Sequence, residues 1–410
     1  MAGLFIWIAP AVSAQERLLS AFFDEDGHAE RQSEARLLVA SGATFMEVHS
    51  ELAVGRVYAA AVETGRLEWS HKIGAERHRY VVLVPDDYDP KKAYRVCFYL
   101  HGGVNRQGEP EEGGSWWRRF DRFDGVEQIS VFPASWPASL WWHKSQVENL
   151  ERVLDRIKLS YHVDENRVFL FGVSDGGTGV YYHAMKAPTI WASFFPFIGQ
   201  PAVLSNPATG VEGEMFERNL AGTALYIVNG ESDRLYPAAR MLPFVEVFRE
   251  LGADVVFRSR AGGHNTRWWN QETSRLEAFM SEHRRDPLPE RLVWETADTK
   301  NFGRRHWLVV DALSKGRPAG GIFPHEDPYG RVVIERSGNG FEAMTTGVRR
   351  FRILLSPREV EFSSPIRVSV NGEVVFDDRI ETSVETLLRW AAIDDDKSML
   401  FGAELAVDVP

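Results

Sequence analysis

The sequence predicts an α/β protein built on a doubly wound, mostly parallel sheet, with a helical segment before it and a small β-rich domain after it. Short apolar stretches alternate with longer amphipathic stretches between residues 65 and 285, which is typical of buried strands joined by crossover helices. The alternation stops at 286–290, where Pro287 and Pro289 predict a linker. The chain of 410 residues is also longer than a domain with a single hydrophobic core usually is, so more than one domain is expected.

The N-terminal part is predicted to contain a signal peptide and a helical segment. Residues 4–9 are apolar and Val12-Ser13-Ala14 fits a small-x-small cleavage site, although no basic residue precedes them. We therefore expect a signal peptide over 1–14 and a secreted or periplasmic bacterial protein; the alternative is an ordinary first helix. Residues 15–64 carry apolar residues at helical spacing and are expected to pack on the domain that follows.

The segment 65–285 is predicted to form the main α/β domain. Its strand candidates are 79–84, 95–100, 128–132, 167–171, 193–197, 224–228 and 254–258, and its helix candidates are 146–159, 177–186, 237–251 and 266–283. In a doubly wound sheet, ligands bind beyond the carboxyl ends of the strands. Chemistry is therefore expected in the residues that directly follow each strand.

The segment 286–410 is predicted to be a β-sandwich-like domain. Its strand candidates are 291–294, 306–310, 331–335, 351–355, 365–370, 373–376 and 404–407, with one helix over 384–392. Asn371-Gly372 lies between two of these strands and predicts a two-residue hairpin turn, because this pair tolerates positive φ at both positions.

The composition makes several classes of function unlikely. The net charge is −11 and no basic stripe with interleaved aromatic residues is present, which argues against nucleic acid as a partner. The single cysteine, Cys97, permits no intrachain disulfide and no cysteine-based metal site. We expect no metal or cofactor. No segment after the N-terminus has the roughly 18 apolar residues that a membrane span needs. No pattern indicates an oligomeric state.

The stretch Gly172-Val173-Ser174-Asp175-Gly176 is the most informative motif. It follows an apolar strand candidate and precedes a helix candidate, and a G-x-S-x-G turn in that context is the nucleophile elbow of an α/β-hydrolase. Flanking glycines allow the sharp turn that exposes the serine. The alternative is an ordinary turn between strand and helix. Ser174 is therefore the candidate nucleophile.

A carboxylate and a histidine follow the serine in the order that an α/β-hydrolase triad requires. Asp233 lies just beyond the strand candidate 224–228 and is the candidate acid, with Glu231 as its rival. His264 follows Gly262 and Gly263 after the last strand of this segment and is the candidate general base. The alternatives are a turn-capping aspartate and a structural loop histidine.

A third motif precedes the serine. His101-Gly102-Gly103-Val104 follows a strand candidate and matches the His-Gly-Gly oxyanion loop of esterases. The backbone N–H of Gly103 or Val104, with that of Asp175, is expected to bind a tetrahedral oxyanion. His101 is expected to orient this loop rather than to titrate, and it is counted among the substrate-binding candidates.

Tryptophans supply the other substrate-binding candidates. The chain has 13 of them, several in pairs. Trp142 and Trp268 follow strand ends and are predicted to lie at the mouth of the site, where aromatic rings suit an aryl or carbohydrate-linked ester. The alternative for each ring is a place in the core.

Taken together, these motifs resemble the α/β-hydrolase superfamily. Within it they are similar to secreted bacterial esterases: feruloyl and acetyl-xylan esterases, polyhydroxybutyrate depolymerases and prolyl-oligopeptidase-like hydrolases. The similarity covers about 65–285, with longer matches at 164–168, 229–237 and 264–269. The resemblance implies a triad of Ser174, Asp233 and His264. Asp175 departs from it, because esterases often have an uncharged residue there.

The function expected from this resemblance is that of a serine esterase acting through an acyl-enzyme on a small-molecule or polymer-linked ester. One alternative is a serine peptidase, although the roughly 65 residues before the main domain are too few for the β-propeller of prolyl oligopeptidases. Another is a non-catalytic, glycan-binding relative that uses the tryptophans and the β-rich domain.

Overall fold

The structure, a computed structural model, describes residues 18, 21–23, 28–106, 108–123 and 127–410. The predicted signal peptide over 1–14 lies outside the described residues.

The main sheet has eight strands. They are β1 (Gly65–Ile73), β2 (Glu76–Val84), β3 (Tyr94–Leu100), β4 (Gln128–Pro133), β5 (Val163–Val173), β6 (Ser193–Phe197), β7 (Ala224–Gly230) and β8 (Asp254–Arg260). Their spatial order is β1-β2-β4-β3-β5-β6-β7-β8. Strand β2 runs antiparallel to β1 and β4, and β3 to β8 are parallel. The predicted fold class, a doubly wound and mostly parallel α/β sheet, is confirmed.

Helices cover both faces of this sheet. They are α3 (Lys144–Ser160), α4 (Asp175–Lys186), α5 (Leu242–Glu250) and α6 (Trp269–Glu282), and they follow α1 (His28–Ala40) and α2 (Phe45–Val54) in the chain. Alternate residues of β3 enter different cores: Phe98 belongs to the core that contains Leu150 of α3, and Tyr99 to the core that contains Phe279 of α6. The continuous apolar run of this strand is explained by burial on both faces. Cys97 of the same strand is buried.

The C-terminal part forms two further sheets around one core. Its elements are β9 (Arg291–Thr296), α7 (Thr299–Phe302), β10 (Arg304–Arg305), β11 (Leu308–Leu313), β12 (Gly330–Ser337), β13 (Gly340–Thr346), β14 (Val348–Leu355), β15 (Ile366–Val370), β16 (Glu373–Asp378), α8 (Val384–Asp394) and β17 (Ala403–Asp408). One sheet has the order β10-β11-β14-β17 and the other β16-β15-β13-β12-β9. Asn371 and Gly372 have φ of 53° and 89°, so the predicted hairpin turn is confirmed.

The N-terminal helices pack their apolar side chains on the last helix of the chain. Leu38 of α1 and Leu52 of α2 share a small core with Leu388 and Ala391 of α8. The prediction that this segment packs on the domain that follows holds for residues after these helices, since Tyr58 stacks on His162 with ring centroids 5.0 Å apart. An amphipathic pattern predicts that a helix has a buried face and not which element covers it.

The C-terminal part meets the main sheet near the amino ends of its parallel strands. Arg285 donates to the Asn166 side chain at the start of β5 and to the Asp396 carboxylate. Arg305 donates to the carbonyl oxygens of Asn219 and Ala221, which precede β7. These contacts lie at the edge of the sheet opposite to the carboxyl ends of β3 to β8.

Candidate active site

Ser174 lies at a strained turn between β5 and α4. Its φ is 58° and its ψ is −118°, a conformation that costs a non-glycine residue about 1–3 kcal/mol. The turn closes only because its flanking residues lack side chains. A Cβ on Gly172 would lie 2.2 Å from the Gly176 carbonyl oxygen, and one on Gly176 would lie 1.8 Å from the Leu100 carbonyl oxygen. The pattern predicted from the sequence therefore has a steric cause at both glycines.

Loops at three strand ends bring the candidate triad together. His264 Nε2 lies 2.8 Å from Ser174 Oγ, and His264 Nδ1 lies 2.8 Å from Asp233 Oδ2. A carboxylate accepts hydrogen bonds only, so Nδ1 carries the proton and Nε2 is the acceptor for the serine hydroxyl. In this tautomer the imidazole is ready to receive the proton of Ser174.

Asp233 is held by the loop that carries it. The residue is 3% exposed, and its Oδ1 accepts the backbone N–H of Leu235 at 2.8 Å and of Tyr236 at 3.0 Å. The two oxygens therefore have separate tasks: Oδ1 binds the loop and Oδ2 binds the histidine. The rival Glu231 is exposed and accepts from the Ser259 hydroxyl at 3.4 Å instead.

The His-Gly-Gly stretch forms a loop, residues 101–104, that passes against the nucleophile. A Cβ on Gly102 would lie 2.8 Å from the Ser174 Cβ, and Gly103 has a φ of 71°. His101 Nδ1 lies 3.0 Å from the Gly102 carbonyl oxygen, and His101 Nε2 accepts the Ser135 N–H at 3.0 Å. His101 therefore orients this loop. Because it is buried and both ring nitrogens are engaged, its prediction as a substrate-binding residue is wrong.

One predicted oxyanion donor is already in use. The backbone N–H of Val104 donates to Asp175 Oδ2 at 3.0 Å, so the prediction that this N–H serves the oxyanion is wrong for this arrangement. The Gly103 N–H meets no protein acceptor within the described part of the chain. The Asp175 N–H opens α4 and has no partner within that helix. These two amides remain candidates.

The two candidate tryptophans are core residues. Trp142 is 2% exposed, and its Nε1 donates to the Thr209 carbonyl oxygen at 2.9 Å. Trp268 is 4% exposed and packs edge-on against Phe197, with ring centroids 5.1 Å apart. The prediction of an exposed aromatic mouth is therefore wrong for both rings. Leu235, 55% exposed, is the large apolar side chain that the acid loop presents to solvent.

Tyr236 is a functional candidate that sequence reasoning missed. Its ring lies edge-on to His264 with centroids 5.7 Å apart, and its amide binds Asp233. Burial raises the pKa of the Tyr236 phenol, and the nearby Asp175 and Asp233 charges raise it further. The phenol therefore stays neutral beside the histidine. Its position directly before Pro237, three residues after the acid, is the signal that the sequence offered.

A second missed contact joins two loops beside the site. The Thr266 hydroxyl donates to the Asp121 carboxylate, which connects the histidine loop to the segment between β3 and β4.

Within the described residues, no three histidine, cysteine or carboxylate side chains are placed to hold a metal ion. In that same part of the chain, no helix is long and apolar enough to cross a bilayer.

Comparison with known proteins yields structural likenesses of low identity. A thermostable esterase matches with a TM-score of 0.43 and 19% identity over 54% of this chain and 63% of its own, less than two thirds of that protein. Propionate-bound esterase 2 of Thermogutta terrifontis matches with 0.44 and 14% over 53% and 94%, and a ferulic acid esterase with 0.40 and 19% over 53% and 97%. No protein-family model and no curated protein matches the chain.

Proposed function

We propose that the protein is a serine hydrolase that cleaves carboxylic esters through an acyl-enzyme. The observation that carries this proposal is the pair of 2.8 Å contacts that link Ser174, His264 and Asp233 in series at a strained turn. A serine alone is a weak nucleophile, and an adjacent base oriented by a third group is what activates it.

In the acylation step, Ser174 Oγ attacks the ester carbonyl carbon while His264 Nε2 takes the hydroxyl proton. The Asp233 carboxylate stabilises the imidazolium that forms. The carbonyl oxygen becomes an oxyanion, which the Gly103 and Asp175 amides are proposed to bind. Collapse of this intermediate breaks the bond to the alcohol, and His264 returns its proton to the departing alkoxide.

In the deacylation step, a water molecule attacks the acyl-enzyme with His264 as the base. A second tetrahedral intermediate collapses, the carboxylic acid leaves, and Ser174 regains its proton from the imidazolium. Both steps use only side chains and backbone amides of the chain together with water, and neither step requires redox chemistry.

The substrate class that we propose is broader than the sequence suggested. An aromatic mouth would favour aryl or carbohydrate-linked esters, but the two candidate rings for it, Trp142 and Trp268, are buried. The C-terminal part contacts the main domain through Arg285 and Arg305 at the strand edge away from Ser174, and through Asp298, which accepts from Lys144 at the start of α3. These contacts involve neither the triad nor the loop 101–104, so they give no support to a polymer-binding role beside the site. Short carboxylic esters are therefore the first substrates to test.

The test is turnover of p-nitrophenyl acetate and butyrate by the wild type and the Ser174→Ala variant, with Ser259→Ala as a control at an exposed serine outside the site. We expect Ser174→Ala to lose at least about a thousandfold in kcat and Ser259→Ala to match the wild type. Turnover by Ser174→Ala near the wild-type rate would overturn the proposal. A kcat/KM on matched p-nitroanilides above that on the esters would identify a peptidase instead.

A further inference from the structure

The side chain of Asp175 joins the oxyanion loop, residues 101–104, to the helix that follows the nucleophile. Its Oδ2 accepts the Val104 N–H at 3.0 Å across 71 positions of sequence. The same residue begins α4, so its own backbone N–H lies next to Ser174. One residue thus contacts the loop through its carboxylate and faces the reacting centre through its amide.

The loop has to be held closely, because it runs against the nucleophile. A Cβ on Gly102 would lie 2.8 Å from the Ser174 Cβ and 2.9 Å from the Val173 carbonyl oxygen. An oxyanion donor works at about 2.7–3.1 Å from the developing charge. A loop displacement of a few tenths of an ångström is therefore enough to weaken the donor that it carries.

Contacts of different kinds fix the two ends of the loop. At one end, His101 is held by the Ser135 amide, and its carbonyl oxygen accepts the Trp141 indole N–H at 2.8 Å. At the other end, the Val104 side chain is fully buried and its amide binds the Asp175 carboxylate. A hydrogen bond to an ionised acceptor is stronger than one between neutral groups. Gly103, between the two ends, is the position whose amide has no protein acceptor within the described part of the chain.

We propose that Asp175 is a positioning residue of the oxyanion hole. Its carboxylate holds the Val104 amide, so that the Gly103 amide, and not that of Val104, meets the oxyanion together with the Asp175 amide. This inference rests on the proposed ester hydrolysis and assigns a task to the one residue of the elbow that departs from the esterase pattern. The charged side chain beside the nucleophile is thereby explained as a loop anchor.

Two substitutions of Asp175 are expected to differ in their effect on kcat. Asp175→Ala removes the acceptor, frees the loop and is expected to lower kcat about 10- to 100-fold, with KM within about twofold, because the donor acts in the transition state. Asp175→Asn keeps an acceptor oxygen for Val104 and is expected to retain most of the wild-type kcat. Glu231→Ala removes an exposed carboxylate that does not touch this loop and is expected to leave kcat unchanged.

The experiment measures two independent quantities in these four proteins. One is the rate at which an alkyl fluorophosphonate modifies Ser174, since its phosphoryl oxygen uses the same donors. The other is the hydrogen-exchange rate of the Val104 amide, which reports the contact without any ester chemistry. We expect Asp175→Ala to react more slowly and to exchange faster, and Asp175→Asn to resemble the wild type in both.

The outcomes distinguish the two proposals. If the wild type is modified and Asp175→Ala reacts at the same rate, the role of Asp175 is refuted while ester hydrolysis stands. Equal losses in Asp175→Ala and Asp175→Asn refute it as well, because the asparagine keeps the acceptor. If the wild type is not modified at all, the proposed function fails, and the inference falls with it.

Discussion

The substitution Asp233→Asn separates the catalytic task of this side chain from its structural one. Both loop amides, those of Leu235 and Tyr236, bind the same oxygen, Oδ1, and His264 binds the other oxygen. An asparagine can keep its carbonyl oxygen on the two amides, which places its NH₂ group where Oδ2 met the histidine. The NH₂ group donates, so Nδ1 of His264 has to become the acceptor.

This exchange reverses the tautomer of the imidazole. The proton moves to Nε2, the atom 2.8 Å from Ser174 Oγ, and that nitrogen is no longer free to take the serine proton. We expect kcat to fall by about 10³- to 10⁴-fold with little change in KM. That loss corresponds to about 4 to 5.5 kcal/mol in the activation free energy.

The free energy of unfolding provides the contrast. Asp233→Asn keeps the two amide contacts and is expected to unfold within about 1 kcal/mol of the wild type. Asp233→Ala leaves both amides without this acceptor; because both hydrogen bonds are only partly buried, we expect a loss of about 1–3 kcal/mol in total. The assays are p-nitrophenyl acetate turnover and urea unfolding of the three proteins. An Asp233→Asn variant within tenfold of wild-type kcat would refute this account of the triad.

Three further predictions address the elbow, the core and the junction between the sheets. Gly176→Ala places a Cβ 1.8 Å from a carbonyl oxygen, and we expect it to lose activity and thermal stability, whereas Gly108→Ala, which meets nothing within 4 Å, retains both. Trp142→Ala is expected to lower the free energy of unfolding, measured in urea, by about 3–5 kcal/mol. A tenfold rise in KM at unchanged stability would instead show that this ring contacts the substrate. Burial favours the neutral form of Asp396, but the Arg285 charge outweighs it and lowers the Asp396 pKa to about 2. Because this pKa is lower in the folded than in the unfolded protein, the ionised carboxylate stabilises the fold above about pH 4, and this stability is lost as the pH falls towards about 2. We therefore expect the free energy of unfolding of Asp396→Asn to depend less steeply on pH in this range than that of the wild type. An equally steep dependence in both proteins would contradict this role of Asp396.

The strands and the triad loops could be predicted because each has a local cause in the sequence. The apolar run of β3 reflects burial on both faces of the sheet. Gly172 and Gly176 are required by distances of 2.2 and 1.8 Å that leave no room for a side chain. Asp233 and His264 follow strand ends, and parallel strands bring those ends to one edge of the sheet.

Other features could not be predicted, because they depend on which partner a side chain meets. The residues next to Trp142 in the sequence do not show whether its ring lines a substrate pocket or is buried and donates to the Thr209 carbonyl oxygen, as the structure has it. The contact of Asp175 with Val104 joins positions 71 apart and has no local signature. Strand β1 was missed because its residues are mostly half-buried and polar, as suits the edge of a sheet.

The central claim is that Ser174 is an activated nucleophile, and covalent labelling tests it most directly. The wild type is treated with an alkyl fluorophosphonate, which reacts with activated serines, and the site is located by mass spectrometry of the digested protein. The account predicts one adduct, on Ser174, that is absent in Ser174→Ala and forms far more slowly in Asp233→Asn. An unmodified wild type, or an adduct on another serine, would contradict it.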